Sequence, residues 1–206
     1  MHPNPVFRKS SHASALEFAK QRGFGILSIN GEDGPIAAHV PFIISPDGTY
    51  IEAHVMRSNP IARALKTPQS ALLAVSGPDG YISPDWYGVE GQVPTWNYLA
   101  VHIRGQLTLL PQDDLRGVIE RLSDEFEARL APKPIWKTDK VPADALDKMM
   151  RMIVPIRLDI TSIDSTRKLG QNKPDTARAR AADGLETSNA GSELSALAQM
   201  MREALD

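Results

Sequence analysis

The sequence predicts a mainly β fold with flanking helices, in the α+β class, from three observations. Short turns rich in glycine, proline and aspartate separate strand-like segments at 24–29, 36–44, 49–55 and 70–76. Apolar and polar residues then alternate between 98 and 109. Two amphipathic helical segments, 113–130 and 142–150, precede a last alternating strand at 156–161. Short connections between successive strands favour an antiparallel meander over parallel βαβ units.

Turn and cap residues mark the remaining elements in order. A short helix at 14–21 ends before Gly23, and turns are predicted at 31–34, 45–48 and 77–80. Asn59 is a good N-cap for a short helix that begins at Pro60 and stops before Pro68. Residues 81–95 contain three aromatic side chains and are predicted to form a folded loop.

The composition excludes several classes of protein. The 206-residue chain has no cysteine, which rules out disulfides, thiolate metal sites and cysteine nucleophiles. Its formal charge of −2 gives no global attraction to nucleic acid or to an anionic membrane. The first residues lack the apolar core of a signal peptide, and no apolar run reaches membrane-spanning length. A cytoplasmic protein without membrane contact is therefore expected.

The composition changes near the end of the chain. Residues 175–182 are rich in alanine and arginine and predict a helix, whereas 183–192 are polar and predict a linker. Residues 192–206 predict an amphipathic helix whose apolar face includes Leu194, Leu197, Met201 and Leu205, and that face needs a partner surface. We therefore expect one domain over 1–182, and a linker with a terminal helix over 183–206.

The first candidate site is an anion site at Arg57, Ser58 and Asn59. These residues lie between a predicted strand and the helix that Asn59 caps. The first N–H groups of a helix carry partial positive charge, and an arginine and a hydroxyl beside them suit a phosphate. A capped helix with a solvated arginine explains the same residues, so both interpretations stay open.

Two further segments are candidate sites. Residues 167–173 combine cations, amides and a glycine, in Lys168, Gln171 and Asn172 with their neighbours. Such a segment could bind a ligand, but taken alone it more often forms an exposed turn after a strand. The other segment brings a hydroxyl, an indole, an amide and a phenol to the start of a strand, through Thr95, Trp96, Asn97 and Tyr98. Such a set could stack a flat aromatic ligand or form a rigid packing corner.

Established catalytic and metal-binding patterns are missing from the sequence. The five histidines have no metal-ligand spacing, and neither a nucleophile elbow nor a Walker or dinucleotide fingerprint is present. No catalytic residue and no metal ligand is predicted. His39, His54 and His102 each lie in a predicted strand, where hydrogen-bonded histidines are the common case.

Five short motifs, taken together and in order, resemble the PaiB-type family of FMN-binding negative transcriptional regulators. The resemblance runs from about residue 7 to about residue 182. The motifs are Ala38-His39-Val40-Pro41, His54-Val55-Met56-Arg57-Ser58-Asn59-Pro60, Ile82-Ser83-Pro84-Asp85-Trp86-Tyr87, Val93-Pro94-Thr95-Trp96-Asn97-Tyr98 and Lys168-Leu169-Gly170-Gln171-Asn172.

The resemblance implies an antiparallel FMN-binding split β-barrel over 1–182, present as a homodimer with FMN at the subunit interface. It implies that Arg57, Ser58 and Asn59 hold the FMN phosphate, with Lys168, Gln171 and Asn172 as second contributors. Thr95, Trp96, Asn97 and Tyr98 are the candidates for the flavin ring or the ribityl chain. These assignments come from the family and not from residue spacing.

The resemblance also implies a flavin-dependent regulator of transcription. Direct DNA binding has little support in the sequence, because the net charge is negative and no helix–turn–helix with a basic recognition helix stands out. Indirect regulation is therefore the expectation. The alternative is an FMN-dependent oxidoreductase that uses NAD(P)H on a small acceptor, since a flavin supplies hydride chemistry without a catalytic triad. Haem bound through a histidine is a further alternative.

Overall fold

The computed structural model describes residues 1–203, and this part of the chain forms seven strands, seven α-helices and three single-turn 3-10 helices. The strands are β1 (Phe24–Gly31), β2 (Gly34–Ile44), β3 (Tyr50–Met56), β4 (Gln69–Ile82), β5 (Thr95–Leu109), β6 (Ile153–Lys168) and β7 (Gly191–Ser192). The helices are α1 (His12–Arg22), α2 (Pro60–Ala64), α3 (Pro84–Tyr87), α4 (Leu115–Ala128), α5 (Ala143–Arg151), α6 (Asp175–Glu186) and α7 (Leu194–Glu203).

The strands form one sheet in the order β1-β2-β3-β6-β5-β4-β7. The first three strands form the predicted antiparallel meander, with registers such as Phe24↔Pro41 and Phe42↔Ala53. The sheet also closes on itself, because β1 pairs antiparallel with β4 from Ile26↔Ala74 to Ile29↔Ala71. The predicted fold, an antiparallel β-barrel with flanking helices, is therefore confirmed.

The chain folds into two compact units, which we describe separately. The barrel unit comprises Leu16–Val75 and His102–Ile163. The helical unit comprises Met1–Ala15, Ser76–Val101 and Asp164–Asp206.

The core of the barrel unit comes from alternate residues of its strands. The buried side chains include Leu27, Val40, Phe42, Ile51, Leu73, Leu107, Ile156 and Leu158. On the opposite side of β3, Glu52 is buried and accepts two hydrogen bonds of 2.8 Å from the guanidinium of Arg121 on α4. This bidentate pair satisfies a carboxylate whose burial would otherwise be costly.

A hairpin of α6 and α7 forms the core of the helical unit, with Leu185, Leu197 and Met201 fully buried. The apolar face predicted for the terminal helix thus packs on α6, although Leu205 lies outside the described residues. Two glycines allow close packing in this unit. A Cβ at Gly80 would lie 2.6 Å from Leu185 Cδ1, and a Cβ at Gly184 would lie 2.5 Å from the Trp86 indole.

Element lengths differ from the prediction in three places. The turn predicted at 77–80 is wrong, because β4 continues to Ile82 and its Asp79 and Gly80 pair with β7. The last strand is also longer than predicted, since β6 runs from Ile153 to Lys168. Finally, α6 extends to Glu186, so the predicted linker begins inside a helix. The division of the chain at residue 182 stays a prediction.

Among residues 1–203, none of the helices combines the length and the apolar character needed to span a membrane.

We expect Gly184→Ala to lower the free energy of unfolding by about 1–2 kcal/mol, because the new methyl group overlaps the rigid Trp86 ring. Urea denaturation measures the change. The matched control is Gly117→Ala on α4, whose nearest neighbour is the flexible end of Arg121 at 3.1 Å. There the helix propensity of alanine should dominate and leave stability equal or higher. A stability change of the same sign and size in both variants would contradict this account of Gly184.

Candidate functional site

Arg57 lies at the corner between β3 and α2 in the barrel unit, and it bonds mostly to the main chain. Its Nε donates to the carbonyl oxygen of Arg151 at 3.0 Å, and its Nη2 donates to Gln112 Oε1 at 2.7 Å and to the carbonyl of Ile153 at 3.4 Å. Its backbone N–H donates to the carbonyl of Met152 at 2.7 Å. Arg57 therefore holds the α5–β6 connection in place while remaining exposed.

Several donors remain available at this corner. Asn59 Oδ1 caps α2 by accepting from the backbone N–H of Ile61 at 2.9 Å, as the N-cap prediction requires, which leaves its amide nitrogen free to donate. Arg57 Nη1 and the hydroxyl of the exposed Ser58 have no hydrogen-bond partner within residues 1–203. The corner thus offers a cationic, a hydroxyl and an amide donor to an anion.

Lys168 and Thr95 meet in the helical unit, although 73 residues separate them. Lys168 Nζ donates to Thr95 Oγ1 at 2.5 Å and lies 5.8 Å from the centre of the Phe7 ring. Burial, and secondarily the charge of Lys173, lowers the pKa of Lys168. The ammonium group of Lys168 is therefore partly desolvated, and its electrostatic neighbour Lys173 is another cation.

Lys173 has a similar set of neighbours. Its Nζ donates to Gln92 Oε1 at 2.5 Å and lies 5.3 Å from the centre of the Tyr87 ring. Within the described chain, neither Lys168 nor Lys173 forms an ion pair with a carboxylate. Two lysines with neutral and aromatic neighbours form a surface that favours an anion.

Gln171 and Asn172 differ in their availability. The Gln171 side chain is engaged locally, because its Oε1 accepts from the N–H of Leu169 and its Nε2 donates to the carbonyl of Arg167. Asn172 is exposed in the turn that follows β6. Gln171 therefore shapes this turn, and Asn172 is the freer of the two predicted contributors.

The aromatic segment forms the first part of β5, so its side chains alternate. Asn97 is buried and donates to Met201 Sδ at 3.4 Å, while its Oδ1 is buried without a partner in the described chain. Trp96 is 49% exposed and meets Tyr81 edge to face at 6.3 Å between ring centres. Tyr98 is half-buried. Trp96 is thus the side chain of this segment that is open to a flat ligand.

Sequence reasoning missed Gln112 and Gln92. Gln112 accepts from Arg57 and also donates to the carbonyls of Met150 and Ile153, at 3.2 and 3.3 Å. Gln92 accepts from Lys173. Both interactions join residues that are far apart in sequence, and neither glutamine has a local signal that would have identified it.

Known proteins resemble this chain over most of its length. A family model described as "Putative FMN-binding domain" matches residues 1–162. Protease synthase and sporulation protein PAI 2 of Bacillus subtilis is 31% identical over 175 residues, which cover 84% of this chain and 83% of that protein. An uncharacterised Saccharomyces cerevisiae protein, YKL070W, is 29% identical over 124 residues, covering 54% of this chain and 73% of that protein.

Two solved structures support the fold. The FAD and haem binding protein of Mycobacterium smegmatis has a TM-score of 0.59 at 19% identity, covering 90% of this chain and 82% of that one. The flavocytochrome Anf3 of Azotobacter vinelandii has a TM-score of 0.58 at 15% identity, covering 82% and 72%. At these identities the likeness concerns the split-barrel fold and not a shared ligand.

We expect His54 to make folding sensitive to mild acid. It is half-buried on β3, its Nδ1 has no partner within the described residues, and burial lowers its pKa below the ordinary 6.5. The unfolded chain then binds the proton more readily, so stability falls as the pH drops through the window below 6.5.

Urea denaturation at about pH 7.5 and about pH 5.5 measures this effect, because the two values bracket the ordinary pKa of histidine. His54→Asn should show a smaller loss of stability between the two pH values than the parent protein. His39→Asn, at an exposed position of β2, is the control. An unchanged pH dependence in the His54 variant would show that another group is responsible.

Proposed function

This chain belongs to the family of FMN-binding domains, and we propose that it binds FMN and acts as a flavin-dependent regulator. The match of the family model over residues 1–162 is the observation that carries the proposal. That range includes Arg57, Ser58 and Asn59 and the segment from Thr95 to Tyr98, whereas Lys168, Gln171 and Asn172 lie beyond it.

The donors at the Arg57 corner fit the phosphate of FMN. A phosphate dianion needs positive charge and several hydrogen-bond donors, and the corner supplies Arg57 Nη1, the Ser58 hydroxyl and the Asn59 amide. The bonds from Arg57 to the Arg151 carbonyl and to Gln112 support this role, because they hold the guanidinium in one orientation before a ligand arrives.

Lys168 and Thr95 provide a second donor set, which would contribute to holding the same phosphate from across the interface of the proposed homodimer. The absence of a carboxylate beside Lys168 and Lys173, within residues 1–203, is the observation that favours it. An anion would offset both the desolvation of Lys168 and its repulsion by Lys173. Trp96 is the side chain that we assign to the face of the isoalloxazine ring, because it combines exposure with a large aromatic surface.

Bound FMN supplies hydride and single-electron chemistry that no side chain of this protein can provide. The described residues would bind it, orient it and limit the access of water. We propose that the protein acts as a homodimer and that its influence on transcription is indirect. The relation to PAI 2, a sporulation protein by name, supports a regulatory role.

We expect Arg57→Ala to weaken FMN binding by about 1.5–3 kcal/mol, since it removes a hydrogen bond between charged groups. Quenching of flavin fluorescence measures the affinity. Riboflavin, which has no phosphate, should bind the parent and the variant equally.

Lys168→Ala, titrated with the same two ligands, tests the second donor set. Arg63→Ala on α2 is the control for the loss of an exposed arginine.

The two flavins make the outcomes distinct. An unchanged FMN affinity in the Arg57 variant would show that Arg57 has only a structural role. An equal loss of affinity for riboflavin would show that the phosphate does not bind at Arg57. A parent protein that binds neither flavin would refute the proposed function itself.

The proposal of indirect regulation predicts no sequence-selective DNA binding by the pure protein. The formal charge of −2 offers little attraction to phosphates. Gel shifts with the DNA upstream of the protein's own gene test this prediction. They are run with and without FMN, at low and at physiological salt. A selective, salt-sensitive shift would establish direct binding instead, and retention that is lost at physiological salt would indicate non-specific contact only.

A further inference from the structure

A cleft of about 480 Å³ in the helical unit, which we call the N-terminal cleft, has no role in the proposed function. Its volume lies within the range of small-molecule sites. Its apolar lining residues are the half-buried Val6 and the almost fully covered Phe7 and Leu169, so Val6 presents most of the apolar surface. The polar part of the lining consists of Lys9, Ser10, Ser14, Arg167, Gln171, Asp175, Arg178 and Glu203.

The cations of this cleft are not balanced by its carboxylates. Arg178 is only 3% exposed, and it pairs with Asp175 at 2.9 Å and donates from Nε to the carbonyl of Met201 at 2.8 Å. That pair is neutral as a unit. Lys9 and Arg167 have no carboxylate partner within residues 1–203, so they face only Glu203 and leave the cleft with an excess positive charge.

The N-terminal cleft adjoins the Lys168 donor set at Phe7 and Gln171, but its own cations are different side chains. Arg167 and Leu169 line the cleft, whereas the side chain of Lys168 between them bonds to Thr95. Gln171 is the one predicted flavin-binding residue on the cleft wall, and its amide is held by Leu169 and Arg167.

We propose that the N-terminal cleft is a second binding site, for a small organic acid with an apolar body and one anionic group. Val6, with the aliphatic stems of Lys9 and Arg167, would take the apolar body. Lys9 and Arg167 would take the anionic group, with the hydroxyls of Ser10 and Ser14 as further donors. The buried Arg178–Asp175 pair holds the wall in place and needs no ligand to neutralise it.

Isothermal titration calorimetry with 1-naphthoate tests the site on the full chain, and 1-naphthalenemethanol serves as the neutral analogue. We expect 1-naphthoate to bind once per chain and the alcohol to bind at least tenfold more weakly. The double variant Lys9→Glu/Arg167→Glu should lose at least tenfold in affinity for 1-naphthoate. Both residues are exposed, so the substitutions should leave the fold intact, and thermal unfolding checks this.

A matched control has the same change in net charge on residues that do not line the cleft. Arg63→Glu/Lys66→Glu places two reversals on exposed residues of the barrel unit, and its affinity for 1-naphthoate should stay that of the parent. An FMN titration of the Lys9/Arg167 variant should also match the parent.

Four outcomes overturn the proposal. No binding of 1-naphthoate, equal binding of the alcohol, or unchanged binding in the Lys9/Arg167 variant would each refute the site. A loss of FMN affinity in that variant would mean that the cleft belongs to the flavin site. Failure of FMN binding in the parent, with 1-naphthoate binding retained, would refute the proposed function and leave the N-terminal cleft established.

Discussion

Antiparallel pairing of β1 with β4 removes two edges that the strand order would otherwise leave open. An unpaired edge exposes backbone donors and acceptors and invites association with another chain. Here β4 uses residues 71–74 to pair with β1 and later residues, Asp79 and Gly80, to pair with β7. One long strand therefore closes the barrel and also anchors the segment that leads into α7.

The sequence predicted the strands joined by local turns, but it did not predict the full length of β4, which pairs with both β1 and β7. The meander β1-β2-β3 could be predicted because its turns carry local chemistry, such as Ser45 to Gly48. The same chemistry at 77–80 gave a wrong turn. Gly80 is required there because the side chains of Leu185 and Leu197 approach it, and such distant packing leaves no trace in a short window of sequence. A strand that continues through Pro78 likewise depends on tertiary pairing.

The candidate site shows the same division between local and distant information. The Asn59 cap and the position of Arg57 beside it follow from neighbouring residues and were predicted. The bond from Arg57 to Gln112 spans 55 residues, and that from Lys168 to Thr95 spans 73. No spacing rule reaches so far. Family resemblance selected both segments, but the partners of each cation required the fold.

The attachment of Arg57 to the α5–β6 connection has a consequence for local motion. Its guanidinium joins the carbonyls of Arg151 and Ile153, so opening of that connection requires these bonds to break. An anion that fixes Arg57 would make such opening rarer, since a ligand that binds only the closed state stabilises it. Amide hydrogens that become exposed in the opening should then exchange more slowly with solvent. Anion binding at Arg57 would therefore slow amide hydrogen exchange in the α5–β6 connection, a segment that the ligand does not contact.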